Sequence, residues 1–234
     1  MSRETPAPGP AQTGAMQAGA VQAGALQSGA AQKQTVPSLT LRGRAKASRR
    51  QLMLTAAAEL FAQHGFSRVS IEDLGAAAGV SGPAVYRHFS GKQAVLGALL
   101  VGVSDDLLQG GSAVVAQAAD GQAALCGLIR FHVDFALANR DVIRVQDRDL
   151  DSLAADDKAA VRTLQRSYID VWVKLLGRLQ PGTATAILRL KVQATFGLIN
   201  STPHSARSQH GGVCGETARP VLEAMALAGL LARA

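Results

Sequence analysis

Tyr86, Arg87 and Lys92, with Ser70 and Ser81 ahead of them, are the residues whose types and spacing best suit a chemical task, and that task is holding a polyanion. Serine and tyrosine hydroxyls donate to phosphate oxygens, and a guanidinium makes paired hydrogen bonds to a phosphate or a guanine edge. Upstream, Arg42, Arg44, Lys46, Arg49 and Arg50 fall within nine residues with no acid among them. Such a stretch can lie along phosphates or reach a minor groove as an arm; its plain alternative is the solvated start of a helix. The net charge of +7 is concentrated here: residues 33–103 carry nine Lys or Arg against three acids, whereas residues 104–234 carry 14 against 13.

Other chemistries find weaker support. His132, His204, His210 and Cys214 lack the spacing of a zinc site, and no metal or other cofactor is expected. Asp147, Asp149 and Asp151 alternate with Arg148 and Leu150, which reads as a solvated helix end rather than paired catalytic carboxylates. There is no glycine-rich phosphate loop and no nucleophile elbow, so an enzyme is not expected. Cys126 and Cys214 do not form a disulfide framework, no apolar run approaches a membrane span, and the N-terminus lacks a leader pattern. A cytoplasmic, nucleoid-associated protein is the expectation.

The elements that must position Tyr86 and its neighbours are written in residues 70–92, SIEDLGAAAGVSGPAVYRHFSGK. Ser70 is an N-cap with Asp73 three residues on, and Ile71, Leu74 and Ala78 recur at helical spacing. Gly79 suits the left-handed position past that helix. Ser81 then caps a second helix with Pro83 in its first turn and Val85 and Phe89 facing inward. Ser90 with Gln93 forms a capping box for a third. Two short helices joined by a glycine turn make a helix-turn-helix, whose second helix enters the major groove. A preceding helix over about 46–63 supplies apolar rows Leu52, Ala56, Leu60 and Met53, Ala57, Phe61, with Phe66 and Val69 packed beneath the pair.

The run LTAAAELFAQHGFSRVSIEDLGAAAGVSGPAVYRHFSGKQAVLGALL, residues 54–100, resembles the N-terminal domain of the tetracycline-repressor (TetR) family. Its marks are the helix ending in Phe-x-x-x-Gly-Phe, the Ala-Gly-Val-Ser turn, the Tyr-x-His-Phe recognition helix and the following Gly-Lys. The resemblance implies DNA contact from Ser81, Gly82, Pro83, Ala84, Tyr86, Arg87 and Lys92, with Ser70 at a phosphate. Lys92 fits, because a cation in a helix's first turn opposes the dipole unless an anion also sits there. Gly82, Pro83 and Ala84 offer few hydrogen bonds, which favours shape readout and contacts with thymine methyls. Residues 144–204 also resemble actinobacterial members linked to acyl-coenzyme A and fatty-acid metabolism.

Residues 1–40, with a five-residue unit repeating around Gln12, Gln17, Gln22 and Gln27, read as a disordered low-complexity tail. Residues 41–100 form the DNA-binding domain and 101–234 a helical ligand-binding and dimerisation domain, giving an all-α protein with an N-terminal three-helix unit. The helix from Ser90 runs to Gly110-Gly111, where a kink or hinge is expected; further helices cover about 121–139, 141–150, 156–179, 183–200 and 216–233. Phe131, Phe135, Trp172 and Phe196 lie on three helices able to surround one cavity, with His132, Asp134, Arg144, Gln146 and Asn200 as polar fixtures. Aromatic residues at helical spacing also suit a plain core; the resemblance implies that they surround a small-molecule inducer. Residues 184–199 and 218–231 are apolar and low in charge, which suits burial against a second subunit. The expected protein is a homodimeric repressor, released from a palindromic operator by an acyl-CoA or other hydrophobic inducer. A DNA-binding regulator whose C-terminal domain only dimerises or contacts a protein partner is the alternative.

Overall fold

The structure is a computed structural model that describes residues 41–201 and 215–232, with side chains described over 46–201 and 217–232. The repeat stretch, His204, His210 and Cys214 lie outside the described residues, as do the side chains of Arg42 and Arg44. Every regular element among the described residues is helical.

Helix α1 (Leu41–His64) starts ahead of the expected Lys46, so the basic stretch is itself helical rather than an arm preceding a helix. Its Ala, Arg and Lys residues are all strong helix formers. Met53, Ala57 and Phe61 form the buried row, whereas Leu52 is 59% exposed. One position along a helix turns a side chain by roughly 100°, enough to carry Leu52 off the core face. Gly65 ends the helix at φ 87°, and a 3-10 turn (Phe66–Arg68) brings the Phe66 ring 5.4 Å from that of Phe61.

Helix α2 (Ile71–Ala77) begins at Ser70 with the full reciprocal cap: Asp73 N donates to Ser70 Oγ at 3.1 Å, and Ser70 N donates to the Asp73 carboxylate at 2.8 Å. These bonds from the Ser70 hydroxyl and backbone hold the Asp73 carboxyl below its ordinary range. Gly79 takes φ 67° and turns the chain into α3 (Gly82–Tyr86). Gly75 matters as much: a Cβ there would stand 2.9 Å from Val80 O and 3.1 Å from Gly82 N, so only glycine lets the two helices cross this closely. Helix α3 is little more than one turn, extended to Phe89 by turn hydrogen bonds, and it buries Val85 and Phe89.

Helix α4 (Lys92–Gln117) departs from expectation twice. Gly91 is its N-cap and no Ser90–Gln93 box forms; the Gln93 amide instead donates to Ser152 O at 3.0 Å. No break occurs at Gly110-Gly111 either. The rings of Phe131 and Tyr168 occupy the space that side chains would fill there, so the glycines serve close helix packing. By length and composition α4 could also cross a membrane, contrary to the sequence expectation, but here Leu96 and Leu100 are fully buried in a helical core.

The chain continues through α5 (Gly121–Ala138), α6 (Arg140–Asp149), a 3-10 turn (Leu150–Ser152), α7 (Ala155–Leu179), α8 (Thr185–Asn200) and α9 (Gly215–Leu231). Two apolar cores result. One seals the helix-turn-helix and includes Phe61, Leu74, Val85 and Leu96, together with Val142, Val145, Leu153 and Val161 from beyond residue 100. The other gathers Leu125, Leu128, Trp172, Leu176, Val192 and Ile199. Each fully buried leucine or phenylalanine contributes about 1.5–3 kcal/mol, so neither core is marginal.

Candidate nucleic-acid interface and internal cavity

Helix α3 presents Ser81, Pro83, Tyr86 and Arg87 to solvent, with Gly82 and Ala84 half-buried between them. Val85 points the opposite way into the core, which fixes that presentation. Tyr86 is 56% exposed, an unusual position for a large ring with no internal role. Ser81 occupies the N-cap position of α3 but its hydroxyl makes no cap bond, while the Ser70 hydroxyl is engaged with Asp73. Beside α3, the basic face of α1 converges. His88 is held below its ordinary pKa first by partial burial and then by Lys46, Arg49, Arg50 and Arg87, which brings four cations to one side of the unit. Arg50 also lies over the Phe89 ring at 4.9 Å. Arg49 and Arg50 thus join Lys46 and Arg87, a grouping that the run of basic residues hinted at but that only the approach of α1 to the residues just after α3 produces.

Lys92 faces inward. Its ammonium donates to Phe66 O at 2.9 Å and Ser67 O at 3.4 Å and lies 4.6 Å from the centre of the Phe66 ring. It ties the start of α4 to the turn after α1, and the backbone carbonyls offset the unfavourable end of the helix dipole.

The second site is a cavity of about 250 Å³. Ser104 and Leu107 of α4, His132 of α5 and Gln146 of α6 line one part of it. Gln165, Tyr168 and Ile169 of α7 and Gln193, Phe196 and Asn200 of α8 line the rest. Apart from His132 and Tyr168, none of these residues is ionisable. Phe196 stacks on His132 with ring centres 4.3 Å apart, and Trp172 meets Phe196 edge-on at 5.2 Å. Burial drives His132 down to about 4, against a small opposing effect of Asn200 beside it; it is a neutral imidazole at pH 7. Burial pushes the Tyr168 phenol well up, so it keeps its proton, and its oxygen lies 3.4 Å from His132 Nδ1. Among the described residues, His132 Nε2, Asn200 Oδ1 and Trp172 Nε1 are buried without a well-formed hydrogen bond.

Of the cavity residues expected from sequence, His132, Gln146, Phe196 and Asn200 line this cavity and Trp172 backs it, fully buried. Phe135 stands 6.1 Å from His132, centre to centre, and Phe131 packs against Gly110. Arg144 pairs with Asp141 at 3.3 Å, and Asp134 pairs with Arg219 of α9. Tyr168 and the glutamines at 165 and 193 escaped sequence reading, because a polar residue on an amphipathic helix looks like any solvated position.

A short glycine-crossed helix pair with an exposed second helix and a converging basic face defines a helix-turn-helix DNA-binding protein. Residues 53–99 match the family model for bacterial regulatory proteins of the tetR family. The chain is 26% identical over 160 residues to the HTH-type transcriptional repressor KstR2 of Rhodococcus jostii (strain RHA1), covering 67% of this chain and 77% of that one. A TetR-family transcriptional regulator from Bordetella parapertussis 12822 superposes with a TM-score of 0.67 at 26% identity, over 79% of this chain and 98% of the other. The fold is shared as well by FadR of Bacillus subtilis in complex with stearoyl-CoA, with a TM-score of 0.59 at 16% identity, over 76% and 98% of the two chains. Residues 53–99 thus match the DNA-binding domain of the tetR family of bacterial regulatory proteins, and the chain as a whole is similar to TetR-family regulators. The named relatives are transcriptional regulators.

Proposed function

We propose that the protein is a homodimeric repressor that binds a palindromic operator through α3 and the basic face of α1, and leaves it when a small molecule fills the cavity. The observation that carries this reading is the course of α4. Its first residue, Lys92, is tied to the DNA-binding unit, while Ser104 and Leu107 further along line the cavity. A ligand that binds better when α4 is tilted shifts the population toward a state whose recognition helices no longer match successive major grooves. In this reading residues 41–100 bind DNA and 101–234 hold the ligand and the dimer contact.

DNA contact is assigned to Arg42, Arg44, Lys46, Ser70, Ser81, Gly82, Pro83, Ala84, Tyr86 and Arg87, now with Arg49 and Arg50, whereas Lys92 anchors the start of α4 to Phe66 and Ser67. Dimerisation is assigned to the outer faces of α8 and α9, where Ile187, Leu190, Val221 and Met225 are exposed apolar residues. The repressor relative supports the sign of regulation, and the complex of FadR with stearoyl-CoA supports a response to a small molecule.

The test is a gel shift with DNA from upstream of the protein's own gene, run with and without compounds that raise its melting temperature. Release of the bound DNA by a stabilising compound is the expected result. Binding that no stabilising compound weakens favours a regulator with no inducer.

A further inference from the structure

We propose that the cavity selects a small, uncharged, mostly apolar molecule with one hydroxyl, which accepts a hydrogen bond from His132 Nε2–H and donates one to Asn200 Oδ1. The proposal rests on the reading of the cavity as a ligand site and names the chemistry of what enters it.

Three observations lead there. First, the described residues that line the cavity include no Lys, Arg, Asp or Glu. A carboxylate or phosphate brought in would lose its hydration with no counter-charge to replace it. His132 is a poor counter-ion because it is almost completely buried and held neutral.

Second, the polar end has a definite donor and acceptor sense. Tyr168 retains its phenolic proton and can donate it to His132 Nδ1, 3.4 Å away, which places the imidazole proton on Nε2. Asn200 Oδ1 beside it is an acceptor with no well-placed donor among the described residues. A hydroxyl is the one-atom group that satisfies both at once. A ketone or ether oxygen accepts from Nε2–H and leaves Oδ1 unpaired, at the cost that buried polar atoms carry.

Third, size and shape limit the rest. A cavity of about 150 Å³ holds benzene, so the 250 Å³ present here suits about ten non-hydrogen atoms. Phe196, Leu107 and Ile169 supply apolar contact for that body. Among the described lining residues none provides for the phosphates of a coenzyme A thioester. The lining therefore suits a compact neutral alcohol or phenol better than the acyl-CoA inducer that the resemblance implies.

The experiment is isothermal titration of the full-length protein with a matched series: 4-propylphenol, 4-propylanisole, propylbenzene and 4-propylbenzoate, with stearoyl-CoA alongside. The phenol is expected to bind at least tenfold more tightly than each of the other four. Asn200→Leu, checked for an unchanged circular-dichroism melt, is expected to bring the phenol down to the level of propylbenzene while leaving propylbenzene itself unchanged. Should Asn200→Leu fail to fold, His132→Gln serves the same comparison.

Equal binding of phenol and propylbenzene overturns the proposal, as does tighter binding of the benzoate or of stearoyl-CoA, or no binding by any of them. Tight and selective binding of the phenol with undiminished operator binding upholds the proposal and counts instead against ligand-driven release.

Discussion

Gln146 and Arg148 stand two residues apart on α6 and face opposite ways: Gln146 lines the cavity, while the Arg148 guanidinium donates to Phe61 O and, at 3.4 Å, to Ala62 O at the end of α1. Two residues along a helix turn a side chain by about 200°. Any displacement of α6 by a ligand at Gln146 is therefore delivered to the last turn of the helix that carries Lys46, Arg49 and Arg50. Arg148 also pairs at 2.9 Å with Asp149, whose carboxylate is 9% exposed. Arg148→Ala strips that carboxylate and the two carbonyls of their donor. A loss of about 1 kcal/mol in urea unfolding is expected, at the lower end for charge-assisted bonds because the guanidinium is half-exposed. Ligand binding by calorimetry should be unchanged, while release of operator should need more ligand. Release at the same ligand concentration as in the parent would show that α6 does not carry the signal.

The buried imidazole of His132 makes stability depend on acidity. Its folded pKa is about 4, against an ordinary value of about 6.5 in the unfolded chain. The unfolded state therefore binds the extra proton first as pH falls. Stability is full above about pH 6.5 and declines toward pH 4, by up to about 3 kcal/mol from this residue. His132→Gln should flatten that decline. Melting temperatures of parent and variant at pH 7.5 and 5 would measure it, and a parallel fall in both would exclude His132 as the source.

The helix-turn-helix could be read from residue types because its signals are local. The Ser70–Asp73 cap, the positive φ at Gly79 and the inward Val85 and Phe89 each depend on neighbours within a few positions. The cavity could be read only in part. His132, Gln146, Phe196 and Asn200 stand out in the sequence as polar or aromatic residues, but Tyr168, Gln165 and Gln193 gain meaning only when α7 meets α8. Lys92 shows the opposite failure. Its charge and its place at a helix start suggested a phosphate, and a long-range pair of carbonyls at Phe66 and Ser67 holds it instead.

The glycines make separable predictions. A methyl group on Gly75 would meet backbone at Val80 and Gly82, which cannot yield without opening the helix pair. Gly75→Ala should cost about 1–3 kcal/mol and abolish operator binding in a gel shift. At Gly111 the obstacle is the Tyr168 ring, 2.5 Å from where an alanine methyl would stand, and a ring can swing. Gly111→Ala should leave DNA binding intact and weaken cavity ligands by pushing Tyr168 from His132. Loss of DNA binding in Gly111→Ala alone would refute this division.

The exposed apolar residues of α8 and α9 give a test of assembly. Leu190 is 62% exposed and Met225 51% exposed on neighbouring helices. The double change Leu190→Arg with Met225→Arg places like charges on a twofold face and should convert the dimer to monomer in light scattering. Far-ultraviolet circular dichroism should not change, since neither side chain belongs to a core. An unaltered dimer would move the interface elsewhere.

Tyr86, Arg87 and Lys92 lie within seven residues of one another but should behave differently. Tyr86 and Arg87 are exposed and build no core, so Tyr86→Ala and Arg87→Ala should weaken operator binding without lowering the melting temperature. For Arg87→Ala the slope of log affinity against log salt should also shrink by about one, the signature of a lost phosphate contact. Lys92→Ala removes the donor to Phe66 O and Ser67 O and the contact with the Phe66 ring. It should lower stability by about 1 kcal/mol, and affinity with it, while leaving the salt slope close to that of the parent. A salt slope reduced by one in Lys92→Ala, at unchanged stability, would return its ammonium to a phosphate.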